Sequence, residues 1–305
     1  MFTSKNMSWI QLTLQTDKAN NDKAEQALLD AGALSVTFRD AEDNPVLEPL
    51  PGETPLWDKI ILTGLFEADI NTESLKSKIK SQLGEKTALK LEVLEDKDWV
   101  RAWMDDYKPM QFGKRLWVCP KHLRPPDPNA VNLMLDPGLA FGTGTHPTTA
   151  LCLEWLDSTD NKNNGIKNKQ IIDFGCGSGV LAIAALMLGA KHCDGTDIDP
   201  QAIIASKDNA IENNVEERLD LFLPADMPAD KFYASYDIVL ANILAGPLTE
   251  LAQQLAGYCK SGGDIVLSGI LETQSEKIIQ AYSPWFNLDP IAVKGDWIRV
   301  TGKKK

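Results

Sequence analysis

Ile171-Ile172-Asp173-Phe174-Gly175-Cys176-Gly177-Ser178-Gly179 is the stretch that decides the fold of the second half of the chain. Its apolar residues predict a buried strand, and the apolar run from Val180 predicts a helix directly after the glycines. Glycines in this position allow a sharp turn and a close approach between backbone and ligand. The N–H groups at the start of the helix suit a carboxylate or another anion. A glycine triplet alone is also compatible with a tight turn that binds nothing.

Strands and helices alternate from Gln170 onward, which predicts a parallel sheet with helices on both faces. After the glycines, one predicted strand ends at Thr196, and three more are predicted at residues 219–223, 237–241 and 264–268. Near the C-terminus, residues 286–293 and 297–301 predict the two strands of an antiparallel hairpin. A parallel sheet closed by such an edge hairpin, with seven strands in all, is the layout of class I methyltransferases. We therefore expect a Rossmann-like α/β fold.

The spacing of the glycines separates two classes of nucleotide-binding loop. A dinucleotide fingerprint reads G-x-G-x-x-G. Here the third glycine, Gly179, comes one position earlier, and Val180 occupies the dinucleotide position. The G-x-G-x-G form with Asp173 two residues before it resembles motif I of S-adenosylmethionine-dependent methyltransferases. A Rossmann dehydrogenase is disfavoured by this spacing and stays as an alternative.

An acidic residue stands at the end of the next predicted strand, in Thr196-Asp197-Ile198-Asp199-Pro200. Asp197 comes 22 residues after Gly175, and a carboxylate at this position can accept hydrogen bonds from both hydroxyls of a ribose. Asp199 is better interpreted as the N-cap of the following helix, with Pro200 in the first turn. The alternative to ribose binding is a purely structural role, in which Asp197 caps a turn.

Asn242 stands where the fourth predicted strand of the sheet ends. Ligands of open α/β sheets bind at this edge, although a loop asparagine can also simply satisfy backbone groups. Several amine methyltransferases carry Asn-Pro-Pro-aromatic here, whereas this chain has Asn-Ile-Leu-Ala and departs from the enzymes that modify adenine or glutamine. The side-chain carbonyl of Asn242 can orient an amine but is no base. No general base is evident, so we assign no catalytic residue.

A segment rich in glycine and proline, residues 135–149, precedes the glycine loop. Three glycines and two prolines among its 15 residues predict a loop that can cover a ligand. Thr145 or Thr148 can cap the helix that follows. His146 is a candidate proton acceptor, although its sequence neighbours identify no partner.

The first 95 residues predict a separate small domain. Strands at residues 9–14, 34–38, 59–66 and 89–93, with helices at residues 18–31 and from Asn71 or Thr72 to Gly84, give the order βαββαβ. This is the ferredoxin-like arrangement. The domain lacks the aromatic stacking motifs of RNA-binding modules with this fold, which favours protein binding over RNA binding. A predicted helix carries Trp99 and Trp103 on one face and connects this domain to the rest.

The composition limits the class of protein. Of 305 residues, 43% are hydrophobic and 24% charged, as in soluble globular proteins. No apolar run reaches the roughly 18 residues of a membrane helix, and the N-terminus lacks a signal core, so we expect a cytoplasmic location. Five cysteines without C-x-x-C spacing favour neither disulfides nor a metal site. The net charge of −12 argues against direct nucleic-acid binding and suits a basic protein partner.

Taken together, the motifs resemble one bacterial family, the methyltransferases of ribosomal large-subunit protein eleven. The resemblance covers nearly the whole chain and rests on residues 136–149, 173–179, 197–200, 242–248 and 267–271. It implies a ferredoxin-like substrate-recognition domain in residues 1–95, a linker helix and connector in residues 96–128, and a methyltransferase domain in residues 129–305. Two departures are an extension of residues 1–6 before Met7 and a small insertion at residues 161–168.

The resemblance also implies an activity and a set of cofactor contacts. The activity is transfer of methyl groups from S-adenosylmethionine to the α-amino group and lysine side chains of that ribosomal protein. By position, the family's cofactor contacts fall on Thr149, Gly175, Asp197 and Asn242, and Gly177 lies in the same loop. The alternatives are another amine methyltransferase, acting on a different protein, a nucleic acid or a small molecule, and a non-catalytic ribosome-assembly factor.

Overall fold

The computed structural model of the chain describes residues 9–42, 56–94, 108–135, 146–160, 165–227 and 232–305. The chain divides into two compact units, Met1–Trp103 and Met104–Lys305. The predicted helix with Trp99 and Trp103 lies outside the described residues, as do the extension of residues 1–6 and most of the loop of residues 135–149. The proposed domain boundaries at residues 95 and 128 stay a prediction.

Unit 1 contains one antiparallel sheet and two helices. In chain order, the elements are β1 (Trp9–Asp17), α1 (Asn21–Asp30), β2 (Ser35–Asp40), β3 (Lys59–Glu67), α2 (Thr72–Leu83) and β4 (Leu89–Leu94). The strands pair in the order β2-β3-β1-β4. Every second residue of β3 is buried, as expected for a strand with one covered face. Asn71 caps α2 by accepting a hydrogen bond from the N–H of Ser74 at 2.9 Å.

Unit 2 begins with a small sheet and a helix. Strands β5 (Met110–Phe112), β6 (Leu116–Cys119) and β7 (Val131–Met134) pair in that order, and helix α3 (Pro147–Asp160) follows. The buried carboxylate of Asp157 in α3 accepts a hydrogen bond from the N–H of Lys114 at 2.6 Å. Gly113 adopts φ 73° beside it, and a Cβ there would lie 2.3 Å from the Asp157 carboxylate. The turn between β5 and β6 is therefore fixed to α3.

The large sheet of unit 2 confirms the predicted Rossmann-like α/β class. Its elements are β8 (Gln170–Phe174), α4 (Val180–Met187), β9 (His192–Thr196), α5 (Pro200–Glu212), β10 (Leu219–Phe222), β11 (Tyr236–Asn242), α6 (Ala245–Glu250), α7 (Ala252–Tyr258), β12 (Cys259–Leu271), α8 (Ser275–Tyr282), β13 (Phe286–Leu288), β14 (Ala292–Lys294) and β15 (Trp297–Lys304). The strand order is β10-β9-β8-β11-β12-β15-β13, and β14 also pairs with β15. Strands β8 to β12 are parallel, and β15 is antiparallel to β12.

The edge of this sheet differs from the predicted hairpin of two strands. The predicted strand of residues 286–293 is split into β13 and β14, so the sheet has eight strands rather than seven. Pro290 lies in the gap and has no N–H to donate to a neighbouring strand. Just before Pro290, Asp289 donates its backbone N–H to the carbonyl of Thr301. The carboxylate of Asp289 accepts a hydrogen bond from the Thr301 hydroxyl.

The buried strands separate two apolar clusters. Ile171 and Leu240 belong to one cluster, whereas the adjacent Ile172 and Val239 belong to the other. Because successive side chains of a strand point to opposite faces, a strand covered on both sides needs a continuous apolar run. No described helix is long and apolar enough to cross a membrane.

Candidate functional site

The glycine loop is a tight turn between β8 and α4. Gly175, Gly177 and Gly179 have φ values of 79°, 55° and 78°, in the left-handed region that favours glycine. A Cβ on Gly175 would lie 2.2 Å from Cγ2 of Ile243, so the close approach itself requires glycine. The loop is anchored to the end of β9, because Gly175 donates its N–H to the carbonyl of Thr196 at 2.8 Å.

Asp197 braces this loop from the end of β9. Its Oδ2 accepts a hydrogen bond from the N–H of Gly177 at 2.9 Å, and its Oδ1 accepts one from the N–H of Asp199 at 3.0 Å. Asp199 caps α5 through a hydrogen bond from the N–H of Gln201, which confirms its predicted structural role. Each oxygen of the Asp197 carboxylate has two lone pairs, so the group can still accept hydroxyl donors from a ligand.

Asn242 and the glycine loop are neighbours at the carboxyl edge of the sheet. Phe174 pairs with Ala241 in the parallel register of β8 and β11, and Gly175 and Asn242 are the residues that follow. The side-chain amide of Asn242 donates a hydrogen bond to Oγ1 of Thr149, a fully buried residue of α3, at 3.2 Å. Among the described residues, nothing donates to the buried Oδ1 of Asn242. A buried acceptor is costly unless it is bonded, so a ligand donor would satisfy it.

Two features beside the site were not predicted from the sequence. The side chain of Ile198, next to Asp197, is 85% exposed. The signal available in the sequence was an apolar residue directly after the acid that ends the strand. The exposed side chain of Ile198 provides a surface on which a flat apolar group of a ligand can pack. Trp297 of β15 packs edge-on against His146, with ring centroids 4.8 Å apart. No sequence pattern links Trp297 and His146, because they are 151 positions apart.

His146 has partners that the sequence did not identify. Its Nδ1 lies 2.7 Å from Oγ1 of Thr148. Burial lowers the pKa of the imidazole, which favours the neutral form. A neutral imidazole can accept a proton, so His146 stays a candidate acceptor. The prediction that Thr148 caps the helix is wrong, because α3 begins at Pro147. Thr145, the other predicted capping residue, lies outside the described residues.

Asp173, the acid before the glycines, is fully buried. Its Oδ2 accepts a hydrogen bond from the N–H of Ala182 at 3.1 Å, and its Oδ1 has no hydrogen-bond partner among the described residues. Burial, together with the nearby charge of Asp197, raises the pKa of this carboxyl to about 7, against the hydrogen bond from Ala182, which lowers it. The hydrogen bond to Ala182 holds the first turn of α4 in place.

Comparison with known proteins identifies the family. The family described as ribosomal protein L11 methyltransferase matches residues 8–305 of this chain. The chain belongs to this family. It is 54% identical over 301 residues to the ribosomal protein L11 methyltransferase of Shewanella sp. (strain ANA-3), covering 98% of this chain and 100% of the relative. It is 55% identical over 301 residues to that of Actinobacillus pleuropneumoniae serotype 5b (strain L20), with the same coverage.

A solved structure agrees with this assignment. The ribosomal protein L11 methylase of Lactobacillus delbrueckii subsp. bulgaricus has a TM-score of 0.57 and 33% sequence identity, covering 65% of this chain and 100% of that one. The resemblance predicted from the motifs is thus confirmed, and the chain is an enzyme of the methyltransferase class. The dehydrogenase and the non-catalytic assembly factor are excluded as alternatives.

Proposed function

We propose that this enzyme transfers methyl groups from S-adenosylmethionine to the α-amino group and lysine side chains of ribosomal protein L11. The observation that carries the proposal is the buried Oδ1 of Asn242, an acceptor without a described partner at the edge where the glycine loop begins. An amine is a donor that would satisfy it. The names of the relatives support L11 as the substrate.

The residues around the loop fit S-adenosylmethionine as the cofactor. Gly175 and Gly177 adopt a backbone conformation that side chains disfavour, so a ligand can approach the backbone of the loop closely. Asp197 keeps acceptor capacity for the ribose hydroxyls. Thr149 and Asn242 complete the set of proposed contacts. When bound, the cofactor supplies an electrophilic methyl group, which is the difficult part of the chemistry.

The protein's part in the reaction is to present a neutral amine. An α-amino group has a pKa of about 7.7–8.0. A lysine side chain has a pKa of about 10.4, so its deprotonation at pH 7 costs roughly 4.6 kcal/mol. Burial of the amine at the site disfavours its charged form and reduces this cost. The Oδ1 of Asn242 accepts a hydrogen bond from the neutral amine and orients its lone pair. Alignment of this kind supplies a large share of the rate.

The role proposed for unit 1 is recognition of the substrate. Unit 1 has its own core, which includes Leu12, Leu28 and Ile79, and it contributes none of the proposed cofactor contacts. The net charge of −12 suits a basic protein partner better than a nucleic acid. We also expect the enzyme to act in the cytoplasm without a membrane or direct nucleic-acid partner.

A methylation assay on a mixture of ribosomal proteins tests the proposal. The purified enzyme is incubated with labelled S-adenosylmethionine and total ribosomal proteins, and the products are identified by mass spectrometry. We expect label on L11, at its N-terminus and on lysines, and a large loss of rate for Asn242→Leu, which keeps the volume and removes the acceptor. Label on a different protein would favour another amine methyltransferase. Cofactor binding without any transfer to L11 would contradict the proposed substrate.

A further inference from the structure

Three chemistry-bearing side chains converge at the end of the sheet opposite to the glycine loop. His192 and Asp194 are two residues apart on β9 and so share a face of the sheet. Asp220 lies on the edge strand β10, where the parallel register pairs it with Asp194. About 16 Å of strand separates His192 from Asp197, taking roughly 3.3 Å per residue. The cluster is therefore separate from the methyl-transfer site.

Two of the three distances between the donor atoms of this cluster match the spacing of a coordination shell. Nε2 of His192 lies 3.2 Å from Oδ1 of Asp194 and 3.5 Å from Oδ2 of Asp220. The three donor atoms all lie within 4.8 Å of one another. Neighbouring ligand atoms of a tetrahedral zinc ion lie about 3.3 Å apart when the bonds measure about 2.0–2.1 Å. The two distances to His192 bracket that value.

We propose that His192, Asp194 and Asp220 form a zinc-binding site. One imidazole nitrogen with two carboxylate oxygens suits Zn²⁺, whereas Ca²⁺ and Mg²⁺ are bound by oxygen donors. Asp220 is the adjustable ligand, because its side chain is 54% exposed and can rotate to close the shell. The side chain of His192 is 26% exposed, so an ion can enter from solvent and a water molecule can take the fourth position.

A hydrogen bond from outside the cluster holds Asp194, the least exposed of the three ligands, in position. The hydroxyl of Tyr236, on β11, donates to Oδ2 of Asp194 at 2.5 Å. This bond leaves Oδ1 of Asp194 directed at His192. Ligating carboxylates in metal sites are oriented by partners of this kind.

Bound zinc stabilises the sheet and takes no part in methyl transfer. The ion joins the edge strand β10 to β9, and β9 leads at its other end into Asp197. The site therefore stabilises the sheet that carries the cofactor-binding loop. The competing interpretation is a protonated His192 that bridges the two carboxylates without a metal.

Calorimetric titration of ZnCl₂ into the full-length enzyme tests the site. We expect one equivalent to bind, with affinity lowered at least about a hundredfold in His192→Ala and in the surface variant Asp220→Asn. Tyr236→Phe should weaken binding by about 10- to 100-fold. His122→Ala, which changes another of the three histidines, should bind as the wild type does. Thermal unfolding without metal checks that each variant is folded.

A spectroscopic measurement separates the metal from the proton. In nitrogen-15 NMR of the imidazoles, one equivalent of Zn²⁺ should shift Nε2 of His192 and leave His122 and His146 unchanged. Co²⁺ in its place should give the strong visible absorption of tetrahedral coordination. The proposal is overturned if His192 does not respond to Zn²⁺, or if both ligand variants bind zinc as tightly as the wild type. Methyl transfer is not used as a readout, so failure here leaves the proposed function unaffected.

Discussion

The amide of Asn242 and the hydroxyl of Thr149 are 3.2 Å apart and joined by a hydrogen bond, which ties the end of β11 to helix α3. In this bond the side-chain nitrogen of Asn242 is the donor. Its carbonyl oxygen, Oδ1, is thereby left as the buried acceptor of the site. Thr149, 93 positions before Asn242 in the sequence, thus sets the orientation of the Asn242 side chain toward an amine.

Thr149→Val should lower kcat for methylation of L11 by about tenfold, because loss of a hydrogen bond of about 1.4 kcal/mol frees the Asn242 amide to rotate. Thr149→Ser keeps the hydroxyl and should stay close to the wild type. Steady-state kinetics with both variants measure the effect. Full activity of Thr149→Val would show that the amide needs no support from α3.

Asp197→Ala should weaken binding of S-adenosylmethionine by about 1.5–3 kcal/mol through lost charged hydrogen bonds. The variant also frees the N–H of Gly177, which Asp197 holds at 2.9 Å. Isothermal calorimetry gives the dissociation constant. Asp199→Ala is the matched control, because it removes the cap of α5, at a cost of about 0.5–2 kcal/mol in stability, and should leave affinity unchanged. Unaltered affinity in Asp197→Ala would rule out the ribose assignment.

Gly177→Val should abolish cofactor binding while the fold is retained. At φ 55° a branched side chain is strained by about 1–2 kcal/mol, and it projects where the ligand must approach the backbone. Circular dichroism checks the fold and calorimetry checks binding. Gly246→Ala is the control, since no atom lies within 4 Å of a Cβ there. Normal binding by Gly177→Val would mean that the loop is only a turn.

Asp173→Asn should remove part of the pH dependence of stability in the cofactor-free enzyme. Burial raises the pKa of Asp173 to about 7 in the folded state, above its unfolded value near 4. The stability contribution of the protonated carboxyl is therefore fully present below about pH 4 and is lost as the pH rises through about 7. The wild type should lose more stability between pH 5 and pH 8 than the variant does. Urea unfolding at both values measures this, and equal losses would contradict it.

Deletion of residues 1–95 should leave cofactor affinity nearly intact and abolish methylation of L11. The proposed cofactor contacts all belong to unit 2, whereas docking energy that positions the amine would be lost with unit 1. Calorimetry and mass spectrometry of L11 measure the two effects separately. Complete methylation by the shortened enzyme would show that the N-terminal unit does not recognise this substrate.

The local parts of the site were predictable from the sequence. The glycine loop, the acid at the end of the next strand and the cap formed by Asp199 depend on residues a few positions apart. Such features follow from backbone conformation and hydrogen bonding within one turn, which the residue types dictate. The proposed cofactor contacts of Thr149, Gly175, Gly177, Asp197 and Asn242 stay predictions that the experiments above address.

Two features of the sheets differ from the prediction or were missed by it. Residues 286–293 were predicted as one strand of a hairpin, but Pro290 interrupts the hydrogen bonding of this segment and the sheet gains a strand. The pairing of β5, β6 and β7 was not predicted, because each strand is too short to give a periodic pattern.

The sequence by itself determined the family, the order of most strands and helices, and the turn that the glycines make, since these depend on patterns along the chain. Only the tertiary structure decided which side chains meet. Thr149 contacts Asn242, His146 contacts Trp297, and Asp220 joins His192, across separations that no local pattern encodes. The physical reason is that strand order and register set these distances, and both result from packing of the whole sheet between its two apolar clusters.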